Sequence, residues 1–164
     1  MNDVFLNGKF IAADEAKVSV LDRGFVFGDG VYEVIPVYDG HCFRLKNHLE
    51  RLKNSLDESR IENPYSEKYW ETLLEKLISL HLGGDQVLYL QVTRGVAARD
   101  HVFPENIKPT VFVMSNLMQA VKEKYKKNGI SAVSLKDSRW QKCNIKSTSL
   151  LPNCLLKQQA KDAG

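Results

Sequence analysis

The 164-residue sequence predicts an α+β chain: one sheet-and-helix domain over residues 1–117, a linker over 118–128, and the first elements of a second, incomplete α/β domain over 129–164. Three observations predict it. Strand-like runs joined by Asn-Gly and Asp-Gly open the chain, two amphipathic helical patterns follow, and two further β-rich runs close the first domain. A chain of this length hides roughly 70% of its extended surface on folding, which is enough for a core without staples.

The elements follow in order. "VFLNGKFI" reads as two short strands around Asn7-Gly8, a pair that tolerates the positive φ angles of a tight hairpin. "VYEVIPVYDGHCFRL" is a second hairpin turning at Asp39-Gly40, and Pro36 implies that its strand lies at an edge or carries a bulge. From Lys46 to Arg60, Leu49, Leu52 and Leu56 recur at three- and four-residue spacing, which is an amphipathic helix. "SEKYWETLLEKLISLHL" is a second helix, with Ser66 as N-cap, a stripe of Tyr69, Leu73, Leu77 and Leu80, and Gly83-Gly84 ending it. "QVLYLQVTRG" and "TVFVMSN" are the later strands. The lysine-rich "VKEKYKKNG" is a solvated connection, "GISAVSL" another strand, and Pro152 sits in the first turn of a last helix that Gly164 caps.

Composition narrows the function classes. Hydrophobic residues make up 43% and charged residues 26%, as in soluble globular proteins. The net charge of +3 is too small to argue for nucleic acid. No apolar run reaches the roughly 20 residues of a membrane span, and the N-terminus lacks a leader pattern. Cys42, Cys143 and Cys154 are odd in number and fit no C-x-x-C spacing, so they read as free thiols of a reducing, cytoplasmic compartment. His41, His48, His81 and His101 lack ligand spacing, which argues against a metal.

Four stretches carry candidate chemistry. "DRGFVFGDGVYE" holds three glycines but leads to a strand, so it is no dinucleotide fingerprint. Its plain reading is a tight turn, with Tyr32 as a packing residue. "TRGVAARDH" puts Arg94, Arg99 and His101 at a strand end and in its loop, where a guanidinium fork suits a carboxylate and a solvated loop is the plain reading. "HLERL" places Arg51 three residues after His48 on one helix. "RWQKCNIKS" sets Lys146 behind Arg139 and Lys142, neighbouring cations of the kind that lower an amine's pKa for Schiff-base chemistry.

Taken in order, "DRGFVFGDGVYEV", "HLERL", "QVTRGVAARDH", "FPEN" and "RWQKCNIKSTSLLPNCLLKQQA" resemble the fold-type IV pyridoxal-phosphate enzymes, and most closely the D-amino-acid aminotransferases. The resemblance implies pyridoxal phosphate as cofactor, with Lys146 as the Schiff-base lysine and Arg51 on the cofactor phosphate. It implies that Tyr32 lines the substrate site, and that Arg99 and His101 hold the substrate carboxylate in the neighbouring subunit of a homodimer. A D-amino acid and a 2-oxo acid would be the substrates, in ping-pong order. The Arg99–His101 pair separates this reading from the branched-chain aminotransferases and aminodeoxychorismate lyases that share the fold.

Two departures accompany the resemblance. Asn144 stands where close relatives often carry aspartate, a minor change. Family members also run on well past this length, and that further part carries the acidic partner of the pyridine nitrogen and most of the phosphate cup. The chain alone is therefore expected to turn over little. A non-catalytic, regulatory homologue and an aminodeoxychorismate lyase are the alternatives.

Overall fold

The computed structural model describes residues 3–81 and 83–163. Strands β1 (Asp3–Leu6) and β2 (Lys9–Ala12) precede a one-turn helix α1 (Arg23–Phe27). Then come β3 (Gly30–Tyr38), β4 (His41–Cys42), α2 (Leu45–Glu58), α3 (Glu67–Ser79), β5 (Gln86–Thr93) and β6 (Thr110–Leu117). Helices α4 (Glu123–Asn128) and α5 (Leu151–Asp162) complete the order. The strands form one antiparallel sheet ordered β2-β1-β6-β5-β3-β4.

Both hairpins form at the expected dipeptides. Asn7 and Gly8 take φ of 47° and 91°, Asp39 and Gly40 take 47° and 77°, and these left-handed angles match the strand twist. Pro36 lies in unbroken register opposite Val87, so there is no bulge. Its carbonyl accepts from the Phe43 N–H at 2.8 Å on the β4 side, and β4 is only two residues long. β3 is thus neither bulged nor the sheet's edge strand, contrary to what Pro36 implied; the missing proline donor faces the short outer strand β4, so the ladder to β5 is kept whole.

Period-two alternation sets the core. Val31, Ile35 and Val37 of β3 point to one face with Leu88, Leu90 and Val92 of β5 and Val111 and Val113 of β6. Leu49, Leu52 and Leu56 of α2 cover that face as their spacing predicts. On α3 the buried set is Trp70, Leu73, Leu74, Leu77 and Ile78, whereas Tyr69 and Leu80 are each 44% exposed. The expected stripe is thus rotated toward Trp70, whose larger apolar surface is hidden while its indole N–H donates to Asn63 at 3.1 Å. Ser66 caps α3 by accepting from Tyr69 N–H. The helix stops at Ser79, before Gly83-Gly84, and Leu82 lies outside the described residues.

Two further expectations are corrected. The turn before β3 contains α1, N-capped by Asp22 and ended by Gly28 in the left-handed region. "GISAVSL" forms no strand and is exposed throughout, because among the described residues no strand lies beside it to complete a ladder. The lysine-rich connection is exposed, as expected, but winds into α4 with a Lys126–Glu123 pair at 2.6 Å. Pro152 does sit in the first turn of α5, while Gly164 as its cap lies outside the described residues.

Candidate functional site

Lys146 is seated by strand pairing. The Tyr32 N–H donates to the Lys146 carbonyl at 3.0 Å, and the Thr148 N–H donates to the Gly30 carbonyl at 2.9 Å, so Val31 and Ser147 form an antiparallel bridge. Residues 146–148 are in effect a short extra strand on the edge of β3. The Thr148 hydroxyl donates to the Gly28 carbonyl at 2.9 Å. Ile145 enters the core beside this strap, and the Lys146 N–H donates to Ser55 Oγ of α2 at 3.2 Å.

The strap brings Lys146 Nζ to 4.0 Å from the centroid of the Tyr32 ring. Alternation in β3 explains why Tyr32 is there: its neighbours Val31 and Glu33 face the helices, so its own ring faces away. Tyr32 stacks on Tyr89 at 5.7 Å, and Tyr89 meets Phe112 at 6.4 Å, an aromatic row across three strands on the face that α2 and α3 do not cover.

Arg51 completes this corner from α2. Its Nε donates to Glu33 Oε1 at 2.6 Å and its Nη2 to Glu33 Oε2 at 2.7 Å, a fork-on-carboxylate arrangement. His48 Nδ1 lies 2.8 Å from the same Oε2. Glu33 is fully buried, while the Arg51 side chain is 51% exposed. The hydrogen bonds to Glu33 raise the Arg51 pKa further. Tyr32, Arg51 and Lys146 line one cavity of about 290 Å³, together with Arg139, Trp140, Cys143 and the 144–153 segment. That volume falls just below the usual range for ligand sites, roughly 300–1,000 Å³.

The charge around Lys146 differs from the expectation. Arg139 is tied to Asp137 at 2.7 Å, and its hydrogen bonds hold the Asp137 carboxyl down at about 2, so its charge is neutralised locally. Lys142 lines an adjoining hollow with Asn54, Asp57 and Glu58, which shares Arg51 and Asn144 with the Lys146 cavity. A larger cavity of about 380 Å³ lies against Val18, Phe25 and Phe112, but its one ionisable group, Asp22, is already used by Thr110 Oγ1 at 2.6 Å and the Gly24 N–H at 2.8 Å. Among the described residues no group of His, Cys, Asp and Glu has the makings of a metal site, and no helix is long and apolar enough to cross a membrane.

Arg99 and His101 are not part of the Lys146 cavity. Both are exposed and meet on Phe27 of α1, Arg99 at 5.2 Å from the ring centroid and His101 at 5.3 Å. The carbonyl between them, that of Asp100, accepts from buried Arg23. Asp29 holds Arg23 at 2.8 Å and Arg94 at 2.7 Å. Burial alone would raise the Asp29 pKa, but the hydrogen bonds and charges of Arg94 and Arg23 outweigh it and hold the carboxyl below its usual range.

Glu33, Ser55, Thr148 and Asp29 did not stand out in the sequence. For Glu33 a signal exists: it occupies the inward parity between Val31 and Ile35, where a carboxylate demands a cation. Ser55 and Thr148 carry no such signal, since their partners are 91 and 120 residues away.

The family model for amino-transferase class IV matches residues 30–164. A D-alanine aminotransferase of Staphylococcus aureus (strain MSSA476) is 40% identical over 161 residues, covering 98% of this chain and 57% of the relative. One from Bacillus licheniformis is 41% identical over 160 residues, covering 98% and 56%. The fold is shared with the Escherichia coli branched-chain amino acid aminotransferase at a TM-score of 0.89 and 21% identity, covering 99% of this chain and 57% of that one. It is also shared with 4-amino-4-deoxychorismate lyase of Pseudomonas aeruginosa at 0.79 and 24%, covering 95% and 56%. The chain thus spans a little over half the length of the curated relatives it matches.

Proposed function

The chain belongs to the class IV aminotransferases, and from that premise we propose that it forms the N-terminal part of an enzyme that moves an amino group from a D-amino acid to a 2-oxo acid. The observation that carries the reading is the convergence of Lys146, Tyr32 and Arg51 on one cavity. The division of the chain at residues 117 and 129 belongs to the same proposal.

Pyridoxal phosphate is the cofactor of this family. The residues fit it: a primary amine and a half-exposed guanidinium share a cavity whose lining is polar, and an aromatic ring stands 4.0 Å from the amine. When bound, the cofactor supplies an electron sink that acidifies the hydrogen on the substrate α-carbon. Lys146 Nζ would be the base that takes that proton, and the Tyr32 ring, 4.0 Å away, would restrict where the amine can move. Arg51 holds the phosphate with the part of its guanidinium that Glu33 does not occupy. The strap pairing fixes the Lys146 backbone against β3, so the amine works from a rigid base.

Arg99 and His101 hold the substrate carboxylate. Their exposure on Phe27, away from Lys146 of their own chain, supports service to the cavity of a second copy in a homodimer. The D-preference rests on this pair and on the likeness to the D-alanine aminotransferases.

The test is D-alanine-dependent pyruvate formation with 2-oxoglutarate, measured on the complete gene product. Turnover of D-alanine but not of L-leucine is the expected result. Activity confined to branched-chain L-amino acids would overturn the D-specific reading, and pyruvate release from aminodeoxychorismate would transfer the chain to the lyase branch.

A further inference from the structure

The Arg51 guanidinium is not free to choose its direction. Two of its N–H groups are committed to a carboxylate that is fully buried. Its Nη1 forms no hydrogen bond among the described residues, and Arg51 lines the Lys146 cavity. A planar fork pinned along one edge presents its remaining edge in a fixed direction, which an unpinned arginine on a half-exposed helix face does not.

We propose that Glu33 is the positioning residue for Arg51, and that the buried carboxylate sets the direction from which the guanidinium meets a phosphate. The inference rests on the reading of Arg51 as the phosphate anchor. Glu33 reaches neither the cavity nor Lys146, so any effect it has must pass through another residue. His48 supplies the third hydrogen bond: with its Nδ1 protonated it donates to Oε2, and it sits 3.3 Å from Arg51 Nη2. The carboxylate therefore has three donors, two from Arg51 and one from His48, which offsets the desolvation of a charge with no water beside it.

The geometry of β3 makes the link direct. Glu33 follows Tyr32, so one backbone register sends the ring toward Lys146 and the carboxylate toward α2. On α2, Arg51 and Ser55 lie four residues apart on one face, and Ser55 accepts the Lys146 N–H. The guanidinium and the strap that carries the amine are thus referenced to the same helix, and Glu33 fixes the guanidinium's orientation about it.

The experiment compares pyridoxal phosphate with pyridoxal, which lacks the phosphate, as ligands of the apo form of the complete gene product. Affinities are read from absorbance in the wild type, E33Q, R51A and the double variant. E33Q is expected to weaken pyridoxal phosphate about 10- to 100-fold, the scale on which loss of an orienting partner weakens a metal ligand. Pyridoxal affinity should stay within about twofold, and E33Q should add nothing to R51A, because both act on one contact.

The outcomes separate two failures. If R51A weakens both ligands equally, or neither, Arg51 is not the phosphate anchor and the underlying reading falls. If R51A acts selectively but E33Q leaves pyridoxal phosphate binding intact, or weakens both ligands alike, the positioning role alone is overturned. Should E33Q fail to fold, H48Q takes its place: it removes one of the three bonds to Glu33, and a smaller loss in the same ligand-selective sense is expected. Equal binding of both ligands by folded H48Q and wild type would then overturn the inference.

Discussion

Lys146 Nζ lies 4.0 Å from the centroid of the Tyr32 ring, within the distance at which an aromatic face holds a cation. The contact is possible only because the two residues also share a backbone hydrogen bond, Tyr32 N–H to Lys146 carbonyl at 3.0 Å. Strand pairing brings the backbones together, and the ring and the amine then meet on the open face of the sheet.

Lys146→Ala should remove turnover by at least about 10²- to 10⁴-fold, the usual worth of a positioned acid–base group. Mapping the complete gene product after pyridoxal phosphate and borohydride treatment should find the label on Lys146 and lose it in this variant. Label spread over surface lysines, unchanged by the substitution, would remove Lys146 from the site. Tyr32→Leu should keep the label and slow turnover less.

Arg99→Ala should raise KM for D-alanine by roughly 10- to 100-fold with a smaller change in kcat, since a hydrogen bond to a charged group is worth about 1.5–3 kcal/mol. Steady-state kinetics check it. An unchanged KM would mean that Arg99 and His101 do not hold the carboxylate. Mixing an Arg99→Ala chain with a Lys146→Ala chain should restore little beyond the fraction of dimers that pair one intact set of residues, which is the signature of a site shared between copies.

Asp29→Asn should destabilise the fold by roughly 3–5 kcal/mol at pH 7, because it leaves the buried Arg23 and Arg94 without their counter-charge. The pKa of Asp29 is depressed in the folded chain, so its ionisation favours folding. That contribution is fully present above the unfolded carboxylate value of about 4 and is lost as pH falls through the lower native value. Urea midpoints of wild type and variant should be far apart at pH 7 and draw together toward pH 3. A constant gap would mean that the charge of Asp29 is not what matters.

Gly95→Ala should cost roughly 2–5 kcal/mol, combining about 1–2 for a left-handed residue with about 1–3 for a forced fit. Gly95 has φ of 108°, and a Cβ there would run into the carbonyl oxygen of Lys108. Thermal unfolding should fall by roughly 4–20 °C at this chain length. An unshifted Tm would show that the 95–108 loop relaxes freely.

The regular elements were legible where a repeat of side-chain type ran long enough. Leu49, Leu52 and Leu56 define α2 because three leucines at helical spacing leave one face to bury. The face of α3 was read one step off because Tyr69 and Leu80 are apolar by composition yet lie at its margin, and only packing reveals that Trp70 takes the inside. Five residues are too few to show a period, so α1 was invisible. "GISAVSL" has a strand's composition but no partner among the described residues, and β-structure is a property of pairs. At the candidate site, Lys146, Arg51 and Tyr32 were singled out by resemblance, whereas what seats the lysine was hidden in contacts between distant positions: Lys146 with Ser55, 91 residues apart, and Thr148 with Gly28, 120 apart.

The strap that seats Lys146 also guards the sheet. Over Gly30–Tyr32 the outer side of β3 would otherwise present bare N–H and C=O groups, the kind of edge on which foreign strands nucleate. Here those groups are spent on residues 146–148. Any event that lifts the lysine away from Tyr32 uncovers a template for intermolecular pairing at the same moment. Loss of the Lys146–Tyr32 arrangement and the onset of self-association are therefore coupled in this fold, and light scattering should rise in step with the disappearance of the Lys146 environment rather than after global unfolding.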